Sequence, residues 1–509
     1  MTEYDAIIIG SGIGGLSAAT RLAQKGFGVL LLEANEEFGG YIAPIVYGKY
    51  SFDLGIHYLG KLGPGEIFRK LLDDLGLENF RFVELDPEGF DKYIFPNYEF
   101  NFCKGMEHLE KRLIHDFPSD KKGIQRFLDI TAKIDQATEP EKMVKNNFLS
   151  WVSYLFKNPV MMKYGLYDYQ SVLDKITKNK KLQTVLSAPL FDIAMGPRKA
   201  SAVGAFWIWS HYLNGAYYPR GGSRALRDAF VKGLRDKGAE LVHSTPVTNL
   251  SKRNDKWTVR TDKEDEYTAN VLISNADPQV TICSLLDRKL VPRNVFNKAN
   301  RLKPSGSIIC VFIGTDLNLP SMGIGTGNIC EYGGWDLNPT YERWLKGSIP
   351  NFEQDFFINS PSARDPEGGL APAGHHTLQI LAGGNLASFE KWASLKPEQR
   401  GKEYEDLKKR IVKDMVKSAE RYVPGLSEHI TLAECVTPLY CMDHVRSVRG
   451  GIYGPEHSPS QMGRGRFHTL TCGVDGLFLA GAGTFGCSLL LCSASGYLAA
   501  EKAAAHLKN

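Results

Sequence analysis

The chain is short of several things that would decide its class at once. Nowhere in its 509 residues does an apolar run reach the ~18 needed to cross a bilayer, so no spanning helix is expected. An excess of one charge is also missing. The formal net charge is only +4 and no basic run is interleaved with aromatics, which sets nucleic acid aside as a partner. The nine cysteines show no paired spacing, so no metal site is expected. Cys487 and Cys492 lie in an apolar, glycine-rich stretch and read as packing residues, which fits a reducing compartment. Neither a Ser-His-Asp constellation nor a Walker loop is present, which argues against hydrolysis and phosphoryl transfer. The first core strand leaves no room for a leader ahead of it, so the expected location is cytoplasmic, with any membrane association peripheral.

What is present is ordinary globular material, 43% hydrophobic and 23% charged. At this length one core does not suffice, and two intertwined domains are expected. The organising stretch is at the start: an apolar strand at 4–9, the turn Gly10-Ser11-Gly12-Ile13-Gly14-Gly15, an amphipathic helix over about 14–25, and a second apolar strand at 29–33. In such a βαβ unit Gly10 permits the tight turn, Gly12 lets backbone approach a pyrophosphate, and Gly15 lets the helix pack on the strand. The phosphates would sit on the helix N-terminus, where free N–H groups and the dipole favour negative charge. Glu33, at the tip of the second strand, is placed to accept from an adenosine ribose and would repel a 2′-phosphate.

The diglycine Gly39-Gly40 with Tyr41, and then 52–60 (Phe-Asp-Leu-Gly-Ile-His-Tyr-Leu-Gly), follow closely. A nicotinamide dehydrogenase has no need of this second glycine loop, whereas flavoproteins of the glutathione-reductase type carry a diglycine several residues after the ribose-binding acid. FAD is therefore preferred to NAD; a plain β-turn at 39–40 is the alternative. Further on, 143–167 is rich in aromatics and methionine and holds Lys145, Lys157 and Lys163 but no acid. It reads either as an interfacial, lipid-entry helix or as a core helix with solvated lysines. The apolar run 205–212 is expected to be buried. At 218–223 (Tyr-Pro-Arg-Gly-Gly-Ser) a turn starts a helix over 224–237 with Ser223 as N-cap. Arg220 reads as a contact to flavin or a polar head group, or as a surface residue of the turn. Strands follow at 240–243 and 245–250, a hairpin at 257–261 and 267–268, and a buried strand at 269–274. Strands at 307–313 and 376–381 would form an antiparallel sheet. A charged, solvated helix follows at about 397–421. Last come a strand–glycine turn at 476–484 and a small-residue helix from Gly486, able to approach a ligand closely.

Taken together, the sequence resembles the phytoene-desaturase-like flavoproteins, which include carotenoid desaturases, carotenoid isomerases and retinol saturase. The resemblance is carried end to end by 10–15, Glu33, 39–40, 52–60, 218–223, 274–278 (Ser-Asn-Ala-Asp-Pro) and 476–484, and the forms at 52–60 and 218–223 look most like the retinol-saturase branch. It implies an α/β fold with a discontinuous Rossmann-type FAD-binding domain of the glutathione-reductase type (1–65, 218–300 and 441–509) and an inserted α+β substrate domain (66–217 and 301–440). The resemblance places Gly10, Gly12, Ile13, Gly14, Gly15, Glu33, Ala34, Gly39, Gly40, Tyr41, Val247, Gly481 and Ala482 at FAD. Two departures stand out: Tyr41 occupies the place where related families carry arginine, and 485–491 lacks the proline- and glycine-rich run usual in carotenoid desaturases. The implied reaction is hydride transfer between flavin and a lipophilic polyene or isoprenoid, as desaturation, saturation or double-bond isomerisation. His57 and Tyr58 are the candidates to face the flavin and shuttle a proton; His57 is otherwise a structural histidine. The rival readings are an amine oxidase of the same architecture, for which no aromatic pair about the flavin can be placed, and a non-catalytic flavin-binding scaffold.

Overall fold

The computed structural model describes residues 3–143, 148–347, 352–467 and 472–508. The chain folds as mixed α/β around two seven-stranded sheets. In the first, the strand order is Val247–Arg253, Lys256–Thr261, Glu266–Ser274, Glu3–Ile9, Val29–Leu32, Glu240–Val242, with Leu477–Leu479 beside the far half of Glu266–Ser274. Glu3–Ile9 lies parallel to both neighbours, with Ile7 opposite Leu272 on one side and Leu30 on the other. Ile7, Ile8, Leu30, Leu31 and Ile273 are fully buried, as strands covered on both faces must be, which is why they read as unbroken apolar runs.

Glu266–Ser274 differs from its expectation. The turn partner at 267–268 and the buried strand at 269–274 are one nine-residue strand, antiparallel to Lys256–Thr261 at its start and parallel to Glu3–Ile9 along its length. No breaker separates Thr268 from Ala269, so the change of pattern marks where the second face becomes covered.

The first helix, Ile13–Gln24, packs on the last, Leu489–Leu507, through small residues. Ser17 Oγ lies 2.7 Å from Ser493 Oγ, and a Cβ at Gly496 would stand 1.9 Å from the Gly14 carbonyl oxygen. The last helix starts later than expected: Ser488 Oγ accepts from the Leu491 amide at 3.1 Å and caps it.

The second sheet runs Ile430–Val436, Ser307–Thr315, His376–Gly384, Phe356–Asn359, Asn328–Glu331, Asp91–Phe95, Tyr98–Phe102. It is antiparallel except where Asn328–Glu331 meets Asp91–Phe95. Along its second strand Ile309, Val311 and Ile313 join a core with Ile411, Met415 and Ala419 of the helix Gly401–Ala419, while Ile308, Cys310 and Phe312 join the large central core. Phe52 stacks on Phe312 with ring centres 4.7 Å apart, tying the segment after the diglycine to this sheet.

The two longer motifs meet. Asp53, buried, accepts the hydroxyls of Tyr218 and Ser223 and, at 3.0 Å, the Ser223 amide. Ser223 is therefore not the N-cap it was expected to be: the helix Gly222–Asp236 begins two residues earlier, after Gly221 at φ +80°, and the serine is spent on Asp53. Ala202–Tyr212 is buried nearly throughout, as expected, with Trp209 Nε1 donating to the Leu186 carbonyl at 2.9 Å. The stretch 143–167 is broken into short helices, including Phe148–Lys157 and Pro159–Tyr164, interrupted at Pro159. Residues 144–147 and the side chain of Trp151 lie outside the described residues.

Candidate active site

The C-terminal ends of Glu3–Ile9, Val29–Leu32 and Glu266–Ser274 open into a cavity of about 370 Å³. This is where parallel sheets bind ligands, because strand ends and helix N-termini leave backbone groups free there. Of the residues expected at a cofactor, Gly10, Gly12, Ile13, Gly14, Glu33, Ala34, Gly39, Gly40, Tyr41, Val247, Gly481 and Ala482 all line it. Gly15 does not: a Cβ there would lie 2.0 Å from the Gly10 carbonyl oxygen, so its bareness serves helix-on-strand packing. Gly12 and Gly14 have a task that was not anticipated. A Cβ at Gly12 would come 2.7 Å from Asn275 Nδ2, and one at Gly14 2.4 Å from Asn275 Oδ1; the glycines make room for this asparagine.

Glu33 is set by its surroundings before any ligand is considered. Its Oε2 accepts the Ser11 amide at 2.8 Å and the Ser11 hydroxyl, and its Oε1 accepts the Asn35 amide at 2.9 Å. Ser11 Oγ in turn accepts the Gly39 amide at 2.9 Å, binding the diglycine loop to the first turn. Ser11, the variable position of the motif, is thus a residue that sequence reasoning passed over.

These groups suit a dinucleotide. The first amides of the helix Ile13–Gln24 have no acceptor within it, and Asn275 Oδ1 is buried, unpartnered and on the cavity wall. The other end of the cavity is apolar, with Ile308, Phe357, Leu381 and Tyr453. Tyr41 is half-buried, its hydroxyl 3.4 Å from the Gly451 carbonyl. The guanidinium missing at that position has a counterpart on the same wall, Arg446, whose Nε donates to Asn35 Oδ1 at 3.3 Å.

A second cavity of about 540 Å³ adjoins the first. The two share Gly55, His57, Tyr58, Asp192, Tyr453, Cys487 and Leu489. The rest of its wall is mostly apolar and includes Leu155, Met161, Ile193, Val203, Trp207, Ile208 and Phe485. Both proton-shuttle candidates therefore stand at the junction. His57 Nδ1 lies 3.2 Å from the Asn359 side-chain amide. Burial, aided by Arg364, pushes its pKa down to about 4, so the ring is neutral. The Tyr58 hydroxyl donates to Asp91 Oδ2 at 2.8 Å and lies 3.2 Å from Asp192 Oδ2. His211, also on the second cavity, accepts the Gly60 amide at Nε2 at 3.2 Å, and burial holds it neutral, at about 3.

Behind the junction Arg364 donates to the carbonyls of His57 and Gly325 and, at 2.7 Å, to Asn328 Oδ1. Asn328 Nδ2 then donates to Asp91 Oδ1 at 2.6 Å. Arg220, exposed, pairs with Glu367 at 2.7 Å and is a residue of the turn surface. Among the described residues no cluster of metal-ligating side chains occurs. Two parts of the site had no signature in the sequence: the segment 445–454, most of which lines the first cavity, and Asp192, in the short turn Ala188–Ile193.

A nucleotide-type strand–turn–helix facing a mostly apolar chamber defines a flavoprotein oxidoreductase architecture, and the comparisons agree. Residues 13–504 match the family described as flavin containing amine oxidoreductase, and the chain belongs to it; its cofactor is FAD. Among individual relatives, it is 25% identical over 474 residues to the all-trans-retinol 13,14-reductase of Danio rerio, covering 89% of this chain and 78% of that one. It is 26% identical over 522 residues to prolycopene isomerase 2, chloroplastic, of an Oncidium hybrid cultivar, covering 99% and 84%. Among solved structures, cyclohexylamine oxidase from Brevibacterium oxydans superposes with a TM-score of 0.62 at 15% identity over 100% of both chains, a likeness of fold.

Proposed function

We propose that the protein is an FAD-dependent oxidoreductase that acts on carbon–carbon double bonds of a lipophilic polyene or isoprenoid, by desaturation, saturation or cis–trans isomerisation. The observation that carries this reading is the junction: the cofactor cavity meets a chamber of about 540 Å³ whose wall is mostly hydrocarbon and aromatic. A polyene has few polar handles and fits such a wall by apolar burial. The retinol reductase and prolycopene isomerase relatives support the same substrate class.

In this reading 1–65, 218–300 and 441–509 form a discontinuous Rossmann-type FAD domain, and 66–217 and 301–440 the substrate domain. The helix amides at Ile13 and Gly14 would hold the diphosphate, Glu33 the ribose, Gly39, Gly40 and Tyr41 the far side of the diphosphate, and Val247 the adenine. Gly481 and Ala482 would lie beside the flavin ring, with His57 and Tyr58 facing it. When bound, the flavin supplies the donor or acceptor of hydride, and the chain supplies orientation, dryness and proton handling. The mouth of the second cavity, at Leu155, Met161, Met162, Gly165 and Leu166, would rest on a membrane surface and take substrate from it.

The test is to purify the protein, read its flavin spectrum, and incubate it with all-trans-retinol and with a cis-polyene, under air and anaerobically with dithionite. A yellow protein that converts one of them supports the reading. A protein that takes up no flavin, or holds it and changes neither polyene, removes it. Peroxide release from amines would replace it with the amine-oxidase alternative.

A further inference from the structure

We propose that Asp192 is the acid–base residue of this site: its carboxyl, at the junction of the two cavities, holds the proton that a carbon–carbon double bond gains when hydride adds to its other carbon. The proposal rests on the polyene reading above and adds to it a residue that no motif marks.

The placement comes first. Asp192 lines both cavities, and among the described residues it is the only carboxylic acid on the wall of the apolar one. Its side chain is fixed by the Tyr58 hydroxyl, 3.2 Å from Oδ2 and 3.3 Å from Oδ1. On the other side of that phenol is Asp91, fully buried, which accepts Tyr58 at 2.8 Å, Tyr93 at 3.1 Å and Asn328 at 2.6 Å. Two carboxyls flanking one hydroxyl, one fully buried and the other on a mostly apolar cavity wall, do not both ionise. Asp91 has three donors, and Arg364 stands behind Asn328; Asp192 has the phenols of Tyr58 and Tyr212, the first of them shared with Asp91, and an apolar chamber. The negative charge therefore belongs on Asp91 and the proton on Asp192.

The other groups at the junction do not compete for this role. His57 and His211 are held neutral, at about 4 and about 3, so neither carries an extra proton to give. The groups that face Asp192 from the neighbouring elements are Asp91, the phenols of Tyr58, Tyr93, Tyr212, Tyr332, Tyr341 and Tyr453, and the thiols of Cys330 and Cys487. Burial raises the phenols and thiols among them, which stay neutral, so Asp91 is the charge that Asp192 feels. Burial first, and Asp91 second, push Asp192 up to about 8. An acid with its pKa near the working pH is the efficient kind, since it is protonated at rest and gives its proton readily.

The chemistry balances. In saturation the double bond gains a hydride, with its two electrons, from flavin reduced by an external two-electron donor. It gains a proton from an Asp192 oxygen, which is left as carboxylate and is reprotonated from solvent between turnovers. In desaturation the carboxylate takes the proton as hydride leaves. In isomerisation one proton is added and removed at the same site.

The experiment uses the flavin-loaded protein. In the infrared, the wild type is expected to show a protonated carboxyl band at pH 7 that disappears as pH rises through about 8. Asp192→Asn is expected to lack the band and Asp192→Glu to keep it. With dithionite and all-trans-retinol, the wild-type rate of saturation falls through the same pH range. Asp192→Asn is slower by about 100-fold or more, with flavin content unchanged and KM within about threefold, and Asp192→Glu keeps about a tenth of the rate or better. Absence of the band in a wild type that converts polyenes overturns the assignment alone, as does Asp192→Asn turning over within about threefold of wild type. Loss of flavin from both variants makes Asp192 structural and overturns the proposal. A wild type that holds the band but converts no polyene removes the functional reading, and the role with it.

Discussion

Asp53 shows how a motif residue can be indispensable without touching a ligand. Two stretches 165 residues apart in the chain, 52–60 and 218–223, converge on its carboxylate, which accepts both the Tyr218 and Ser223 hydroxyls. Removing one donor leaves a buried carboxylate under-satisfied, at a cost of about 1–3 kcal/mol. Tyr218→Phe is therefore expected to lower stability by that amount in urea unfolding, with flavin still bound; an unchanged midpoint would mean that Ser223 alone satisfies the acid. Glu33 is the opposite case, a side chain whose partners are local and whose purpose is external. Glu33→Ala removes the acceptor proposed for the ribose and releases Ser11, so flavin retained after gel filtration is expected to fall about tenfold or more. Undiminished flavin in that variant would take Glu33 out of the cofactor site.

Elements were legible in the sequence to the degree that their signals are local. The first βαβ unit was readable because glycine type, apolar run and terminal acid all fall within thirty-odd positions, and the antiparallel pair Ser307–Thr315 and His376–Gly384 because each strand is a long apolar run. Asp192 and the wall at 445–454 were not recognised, since each reaches the site through packing between distant segments, which leaves no periodicity to read; Asn275 lay in the motif at 274–278, but nothing local showed that it fills the space beside Gly12 and Gly14. Glycines illustrate the same divide. Gly496 and Gly233 both sit inside helices, yet a Cβ at Gly496 meets the Gly14 carbonyl at 1.9 Å, whereas one at Gly233 meets nothing within 4 Å. Gly496→Ala must push the last helix off the first, costing about 1–3 kcal/mol by overpacking and disturbing Gly14 on the cofactor cavity. Gly233→Ala reduces the freedom of the unfolded chain and should stabilise by about 0.4–1 kcal/mol. Comparing the two by urea unfolding and flavin content separates close packing from mere composition; similar shifts in both would contradict the structure.

At the scale of the whole molecule, the question is how an apolar substrate reaches a chamber that water avoids. The outer end of the second cavity is lined by Met162 and Leu166, and around it Phe156, Met162 and Leu166 expose 73%, 58% and 87% of their surface. Lys157 and Lys163 stand among them, exposed, and no acidic residue occurs between 143 and 167. Among the described residues no helix is long and apolar enough to cross a membrane, so attachment here would be by a patch. Each of three large apolar side chains moved from water into the interface gains roughly 1.5–3 kcal/mol. Each lysine near an anionic surface adds about 1 kcal/mol, screened by salt. That sum would suffice for reversible binding, and it would place the cavity mouth against the lipid where a polyene dissolves. The wild type should therefore sediment with anionic lipid vesicles at low salt and partly release at high salt. Phe156→Glu combined with Leu166→Glu removes two apolar anchors and opposes the lysines, and should reduce vesicle binding by about tenfold or more while leaving flavin content intact. Absence of wild-type sedimentation at low salt, or equal sedimentation by the double variant, would show that the exposed patch meets something other than a bilayer and that substrate enters by another route.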